Sequence, residues 1–200
     1  MMSVGKKSIL LILAVIILDQ ISKIWIKTNF ELGESIRVTS WFYIFFIENP
    51  GMAFGIELIP KTFLTLFRIA AASAIGYGIY YIVKKQYPIG FVACVSLIFA
   101  GAVGNIIDST FYGLIFDHSF GQVATLFPAD GGYASIFQGN VVDMLYFPLF
   151  TFPDWVPFLG GGIFFSPVFN IADSAITVGV ACLLIFYRNL LDDKKEEVKA

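Results

Sequence analysis

Four stretches of this sequence are each close to 20 residues long, mostly apolar and nearly free of charge: about Ser8 to Lys27, Thr62 to Val83, Ile89 to Asp108 and Phe169 to Tyr187. A hydrocarbon core about 30 Å thick is crossed by about 20 residues of α-helix, whose backbone bonds to itself where no water can. The pattern predicts a membrane α-helical protein, one integral membrane domain over residues 1–200 with four transmembrane helices. Only 14% of the residues are charged and 58% are hydrophobic, against about 25% charged in soluble domains. Lys6 and Lys7 precede the first stretch as they would precede a signal peptide, yet Asp19-Gln20-Ile21-Ser22-Lys23 follows instead of a small-residue cleavage site. That stretch therefore reads as a retained helix.

Charge sorts the connections. Lys6, Lys7, Lys84, Lys85, Arg188, Lys194, Lys195 and Lys199 all fall on one side of a four-span chain, whereas no Lys or Arg occurs between Lys85 and Arg188. By the positive-inside rule both termini are cytoplasmic and residues 109–168 are outside. The other outer piece, residues 28–61, is rich in β-branched and aromatic residues from Ile36 to Ile47 and predicts a small periplasmic β-strand cap. The long outer loop is dense in Phe, Gly and Pro, with apolar runs at Phe147 to Phe152 and Phe158 to Phe165, and suits packing at the lipid interface. The charged tail from Asp192 to Lys199 reads as a solvated end. A formal net charge of -2 gives no basic field to hold nucleic acid. Cys94 and Cys182 lie in apolar runs without C-x-x-C spacing and read as buried thiols.

Ionisable side chains inside such spans are expensive and need a partner or a purpose. Asp19 and Lys23 are four apart on one helix face, in the order that suits an ion pair. Arg68, in the second span, either snorkels outward or meets a carboxylate. Asn105 and Asp108 are three apart near the outer end of the third span, after Gly101 and Gly104, which permit close helix approach. Asn170 and Asp173 repeat the spacing at the start of the fourth, and the outer loop before it carries Asn140 and Asp143. Asparagines can glue helices by hydrogen bonding alone. Asp143 and Asp173 have no Lys or Arg near them in sequence, and two carboxyls brought together share one proton. One can then take a proton from water while the other gives one to a carbonyl, which is the chemistry of aspartic peptide hydrolysis. His118 is the only histidine, so H-E-x-x-H zinc chemistry is excluded and no metal or other cofactor is called for. A transporter or proton relay using the same carboxylates, and a scaffold whose polar residues only pack helices, are the rival readings.

The chain resembles lipoprotein signal peptidase (signal peptidase II), a four-span aspartic peptidase of the bacterial inner membrane. The resemblance is carried by five ordered motifs: Asp19-Gln20-Ile21-Ser22-Lys23, Glu48-Asn49-Pro50-Gly51-Met52-Ala53-Phe54-Gly55, Gly101-Ala102-Val103-Gly104-Asn105-Ile106-Ile107-Asp108, Gly139-Asn140-Val141-Val142-Asp143 and Phe169-Asn170-Ile171-Ala172-Asp173-Ser174-Ala175-Ile176. It implies Asp143 and Asp173 as the catalytic pair, near the periplasmic face. It further implies that Asp19, Lys23, Asn49, Gly51, Gly104, Asn105, Asp108, Asn140, Asn170 and Ala172 line or support the substrate pocket. The implied partners are membrane lipids and prolipoproteins, cut just before a cysteine bearing a diacylglyceryl group. Two features depart from the family: Ser109 stands where an Arg is usual, with Arg68 a candidate to compensate, and the segment from Tyr112 to Gln138 is longer, either a lid or an interface-hugging insertion.

Overall fold

The computed structural model describes residues 2–51 and 60–190. Met52 to Gly55 of the second motif and the tail from Asp192 to Lys199 lie outside the described residues. Among the described residues three helices are long and apolar enough to cross a membrane: α1 (Val4–Lys27), α2 (Lys61–Lys84) and α3 (Ile89–Ile107), the last prolonged to Ile115. At 24 residues, α1 and α2 each reach about 36 Å at 1.5 Å per residue. The helix at the fourth stretch, α5 (Ile171–Phe186), has 16 residues, about 24 Å. Chain contacts divide the protein into two compact units, one of 1–19, 66–106 and 171–200, the other of 20–65 and 107–170.

In the first unit α2 and α3 form a helical hairpin. The turn closes with Tyr87 N–H on the Ile82 carbonyl and Gln86 N–H on the Val83 carbonyl, with Gln86 in the left-handed region at φ 57. These are the two bonds of a Schellman stop, which satisfies the last carbonyls of α2. Pro88 then starts α3, where its missing N–H is not needed. Packing continues up the hairpin, with Ile69, Ala72 and Gly76 of α2 facing Phe99, Val103 and Ile106 of α3. Ser8 and Ser96 hydrogen-bond at 2.7 Å between α1 and α3, a buried polar contact of the kind that holds helices together in lipid.

In the second unit a four-stranded antiparallel sheet runs in the order β1-β2-β3-β6, from β1 (Ser35–Arg37), β2 (Tyr43–Asn49), β3 (Val141–Tyr146) and β6 (Val168–Phe169). The strands of residues 28–61 are thus joined by two from the outer loop, where the sequence had suggested only connection. One extra residue of β2 sits between the pairs Ile44↔Leu145 and Ile47↔Asp143. This bulge sets the register of everything beyond it. The core holds Ile26, Phe30, Phe46, Tyr112, Phe116, Ala124, Val142 and Met144.

The segment 112–138 gives Tyr112, Phe116 and Ala124 to this core. It begins where α3 passes into a π-helical turn, Asp108–Tyr112, and a last helical turn, α4 (Gly113–Ile115). It then folds back so that Ala124 N–H meets the Lys27 carbonyl, Tyr133 N–H the Phe116 carbonyl and Ala134 N–H the Gly113 carbonyl. Gly139 ends it against the Asp108 carbonyl, too close for any Cβ. Further along, β4 (Phe150–Thr151) and β5 (Ile163–Phe164) form a small hairpin with Phe150 stacked on Phe164 and with Trp155 and Phe158 exposed.

Candidate active site

Asp143 lies on β3, not in a loop, and is 1% exposed. Asn170 Nδ2 donates to its Oδ1 at 2.7 Å and Asn49 Nδ2 to its Oδ2 at 3.3 Å. Asn49 stands opposite Val141, and alternate residues of a strand share a face, so Asn49 and Asp143 point the same way. Asn49 Oδ1 also receives the Gly51 N–H at 2.8 Å, and Gly51 has φ 83, a conformation natural to glycine.

The other edge of β3 explains two further motif residues. β6 pairs only with Leu145 and Tyr146. Nearer the carboxylate the ladder is completed by side chains: Asp108 Oδ2 accepts the Val142 N–H at 3.3 Å, and Asn170 Nδ2 donates to the Val142 carbonyl at 3.3 Å. Asp108 is itself held by Lys23 Nζ at 2.7 Å and by Gln20 Nε2 at 2.9 Å, with both charged side chains fully buried. Buried charges demand this kind of pairing. Lys23 thus has Asp108 as a partner, and Asp108 serves as backbone acceptor for the strand that carries Asp143.

Asn140 does not share the Asp143 face. Its Nδ2 donates to Glu48 Oε2 at 2.7 Å, its Oδ1 receives Lys61 Nζ, and its N–H donates to the Tyr133 hydroxyl at 2.6 Å. Glu48 Oε1 is held by Lys27 Nζ at 2.5 Å and by the Ser119 hydroxyl at 2.7 Å. Burial works to raise the Glu48 carboxyl, but the Lys27 charge and the hydrogen bonds from Asn140, Lys27 and Ser119 outweigh it and hold the group below its ordinary value. Burial pushes the Tyr133 hydroxyl far up, so it stays neutral.

In the first unit Asp173 occupies the first turn of α5 and accepts from Asn105 Nδ2 at 2.7 Å. Asn105 thus donates to a carboxylate, whereas Asp108, three residues on, accepts the Val142 N–H. Arg68 lines a cavity of about 330 Å³ together with Asn105 and Asp173, where the two charges act on each other. Asp19 Oδ1 accepts the Ala172 N–H at 2.9 Å. A carboxylate suits a helix N-terminus, whose first N–H groups have no partner within the helix. Gly104 permits this: a Cβ there would lie 2.6 Å from Asp19 Oδ2 and 3.1 Å from the Ala172 Cβ. Ser109, at the position of the usual Arg, is buried, and its carbonyl accepts the Gly139 N–H.

Sequence reasoning did not single out Gln20, Lys27, Glu48 or Lys61. Gln20 and Glu48 lie inside quoted motifs, and strand alternation through Glu48-Asn49 would have separated their roles. Lys27 and Lys61 had been read only as span and cap boundaries.

Each carboxylate thus accepts from at least one asparagine amide that orients it, and a carboxyl so placed can take up or give a proton. The family model described as Signal peptidase (SPase) II matches residues 11–188. A lipoprotein signal peptidase of Porphyromonas gingivalis is 52% identical over 96% of this chain and 88% of its own length. One from Amoebophilus asiaticus is 36% identical over 94% of this chain and 80% of its own. A bacterial membrane enzyme solved by the in meso method at 1.9 Å resolution is similar with a TM-score of 0.62 and 30% identity, over 90% of this chain and 91% of that one.

Proposed function

The chain belongs to the signal peptidase II family of aspartic proteases, and from that premise we propose that Asp143 and Asp173 are its catalytic pair. It is a multi-pass bacterial membrane endopeptidase that processes lipoproteins. The substrate is a prolipoprotein, and the scissile bond lies just before a diacylglyceryl-modified cysteine. The observation that supports the residue assignment is that the carboxylate of each of these motifs accepts from asparagine side chains of other motifs: Asn170 and Asn49 on Asp143, Asn105 on Asp173.

In the reaction one carboxylate withdraws a proton from water as the water oxygen attacks the peptide carbonyl. The other carboxyl gives its proton to the carbonyl oxygen. The tetrahedral intermediate then collapses: the carboxyl that took the water proton gives it to the leaving amine as the C–N bond breaks, and the other, now ionised, takes a hydroxyl proton of the intermediate as the carboxylic acid product forms. Asn49 and Asn170 keep the Asp143 carboxyl from rotating, and Asn105 does the same for Asp173. The apolar wall of the cavity beside Asp173, formed by residues such as Phe67, Ala71, Ile75 and Ile176, is chemically suited to the lipid chains. In this reading α5 is the fourth span, both termini are cytoplasmic, the sheet caps the periplasmic side, and the exposed aromatic hairpin rests at the lipid interface.

The test is cleavage by purified protein of a signal peptide bearing a diacylglyceryl-cysteine, compared with folded Asp143→Asn and Asp173→Asn. Wild type cuts before the modified cysteine and both variants lose product. Cleavage at the wild-type rate by either variant moves the catalytic assignment elsewhere.

A further inference from the structure

Neighbouring residues of a strand project to opposite faces. On β2 this separates Asn49, which donates to Asp143, from Glu48, which meets Lys27, Ser119 and Asn140 on the other side. The β2–β3 pair therefore carries the proposed catalytic carboxylate on one face and a fastening on the reverse. Asn140 is the residue immediately before β3, and it is gripped at three points: Nδ2 by Glu48, Oδ1 by Lys61 at the start of α2, and backbone N–H by Tyr133. Lys61 Nζ also takes the Gln138 carbonyl at 2.9 Å.

The fastening is set in an aromatic core. Lys27 is fully buried, with its ammonium 5.0 Å from the Tyr133 ring centroid, 5.3 Å from that of Phe116 and 5.9 Å from that of Phe46. For stability alone an ion pair in such a place gains little over well-packed apolar residues of the same size. What apolar residues cannot do is hold Asn140 by a directed bond.

We propose that Glu48, with its carboxylate held by Lys27 and Ser119, is a positioning residue for the peptidase reaction: it fixes Asn140 and thereby the place at which β3 presents Asp143. This rests on the assignment of Asp143 as catalytic. Glu48 touches no reacting atom and acts through Asn140 only.

The test uses the full-length protein in detergent with a fluorogenic diacylglyceryl-peptide, and hydrogen exchange of residues 141–146. Glu48→Gln keeps the shape but loses the charge that organises the network. Small misplacements of a reacting group cost up to about 100-fold, so kcat is expected to fall about 10- to 100-fold. KM should stay within about twofold, because no substrate contact is removed. Exchange across β3 should quicken while α2 and α3 keep their protection. Added to Asn140→Ala, Glu48→Gln should change kcat no further. Should Glu48→Gln fold poorly, the charge-free Lys27→Met, Glu48→Met pair replaces it and must show the same fall in kcat. Wild-type kcat in a folded variant, or an effect that multiplies with Asn140→Ala, overturns the proposal. Asp143→Asn run beside them separates the two readings: if it still cleaves, the catalytic assignment fails, whereas an inactive Asp143→Asn beside a fully active Glu48→Gln refutes the positioning role alone.

Discussion

Replacing Lys23 by Met removes the cation of a pair at 2.7 Å in which neither side chain has any exposure. The Asp108 carboxylate keeps the neutral donors Gln20 Nε2 at 2.9 Å and the Val142 N–H at 3.3 Å but loses the ammonium that touches it. Breaking a buried pair from one side costs about 3–5 kcal/mol, far more than the net worth of the intact pair. For a chain of this length each kcal/mol lowers Tm by about 2–4 °C, so Lys23→Met should unfold roughly 6–20 °C below wild type. Asp108→Asn should also destabilise, by stranding the ammonium. The double variant Lys23→Met, Asp108→Asn has no buried charge left at the pair and should recover at least about 1 kcal/mol over the sum of the singles. Thermal unfolding in detergent, followed with a thiol-reactive dye that reports exposure of the buried Cys94, measures all four proteins. A Tm loss under about 3 °C for Lys23→Met, or a double variant as unstable as the sum, would refute the reasoning that the pair is desolvated and coupled.

Gly104→Ala brings a methyl within 2.6 Å of Asp19 Oδ2, and the overpacking, about 1–3 kcal/mol, should exceed the gain in helix propensity of about 1 kcal/mol; a lower Tm is expected, and an unchanged one would show that Asp19 gives way freely. Asn170→Ala takes donors from both the Asp143 carboxylate and the Val142 carbonyl, so it should lose about 1–3 kcal/mol in denaturation and slow cleavage even where the protein is folded. Because the Glu48 carboxyl is held below its ordinary 4.5, the charged form adds stability that is complete above that pH and lost as pH falls through the lowered value. The Tm difference between wild type and Glu48→Gln should accordingly be largest near neutrality and shrink in acid, and a pH-independent difference would contradict it.

Helix positions were legible because a membrane span is a one-dimensional property: length and lack of charge suffice. The observed α1, α2 and α3 begin and end within a few residues of the expected spans. The sheet was half legible. The alternating run in residues 36–47 marked strands, but β3 pairs with β2 across some 90 residues, and nothing local in Gly139-Asn140-Val141-Val142-Asp143 marks it as a strand. The site shows the same division. Motif reading named Asp143, Asp173 and the asparagines that donate to them, and spacing put Asn105 and Asp108 near the outer end of one span. That Asn105 meets Asp173 while Asp108 meets Lys23 and the Val142 N–H depends on tertiary pairing that spacing does not carry. Lys27 and Glu48 escaped because their role depends on which side of a bulged strand each residue faces.

The stop at Gln86 bears on how the protein is built in time. Closing a connection of a few residues carries little entropic penalty, and contacts between near neighbours in sequence form fastest. Ile82, Tyr87 and Phe91 can meet as soon as that stretch has left the ribosome, well before residues 171–186 are made. The α2–α3 hairpin can thus enter the bilayer already paired, and its Gly76 and Phe99 contact need not be searched for afterwards. The last helix is then the latecomer, and its seat against Gly101 and Gly104 is ready before it arrives.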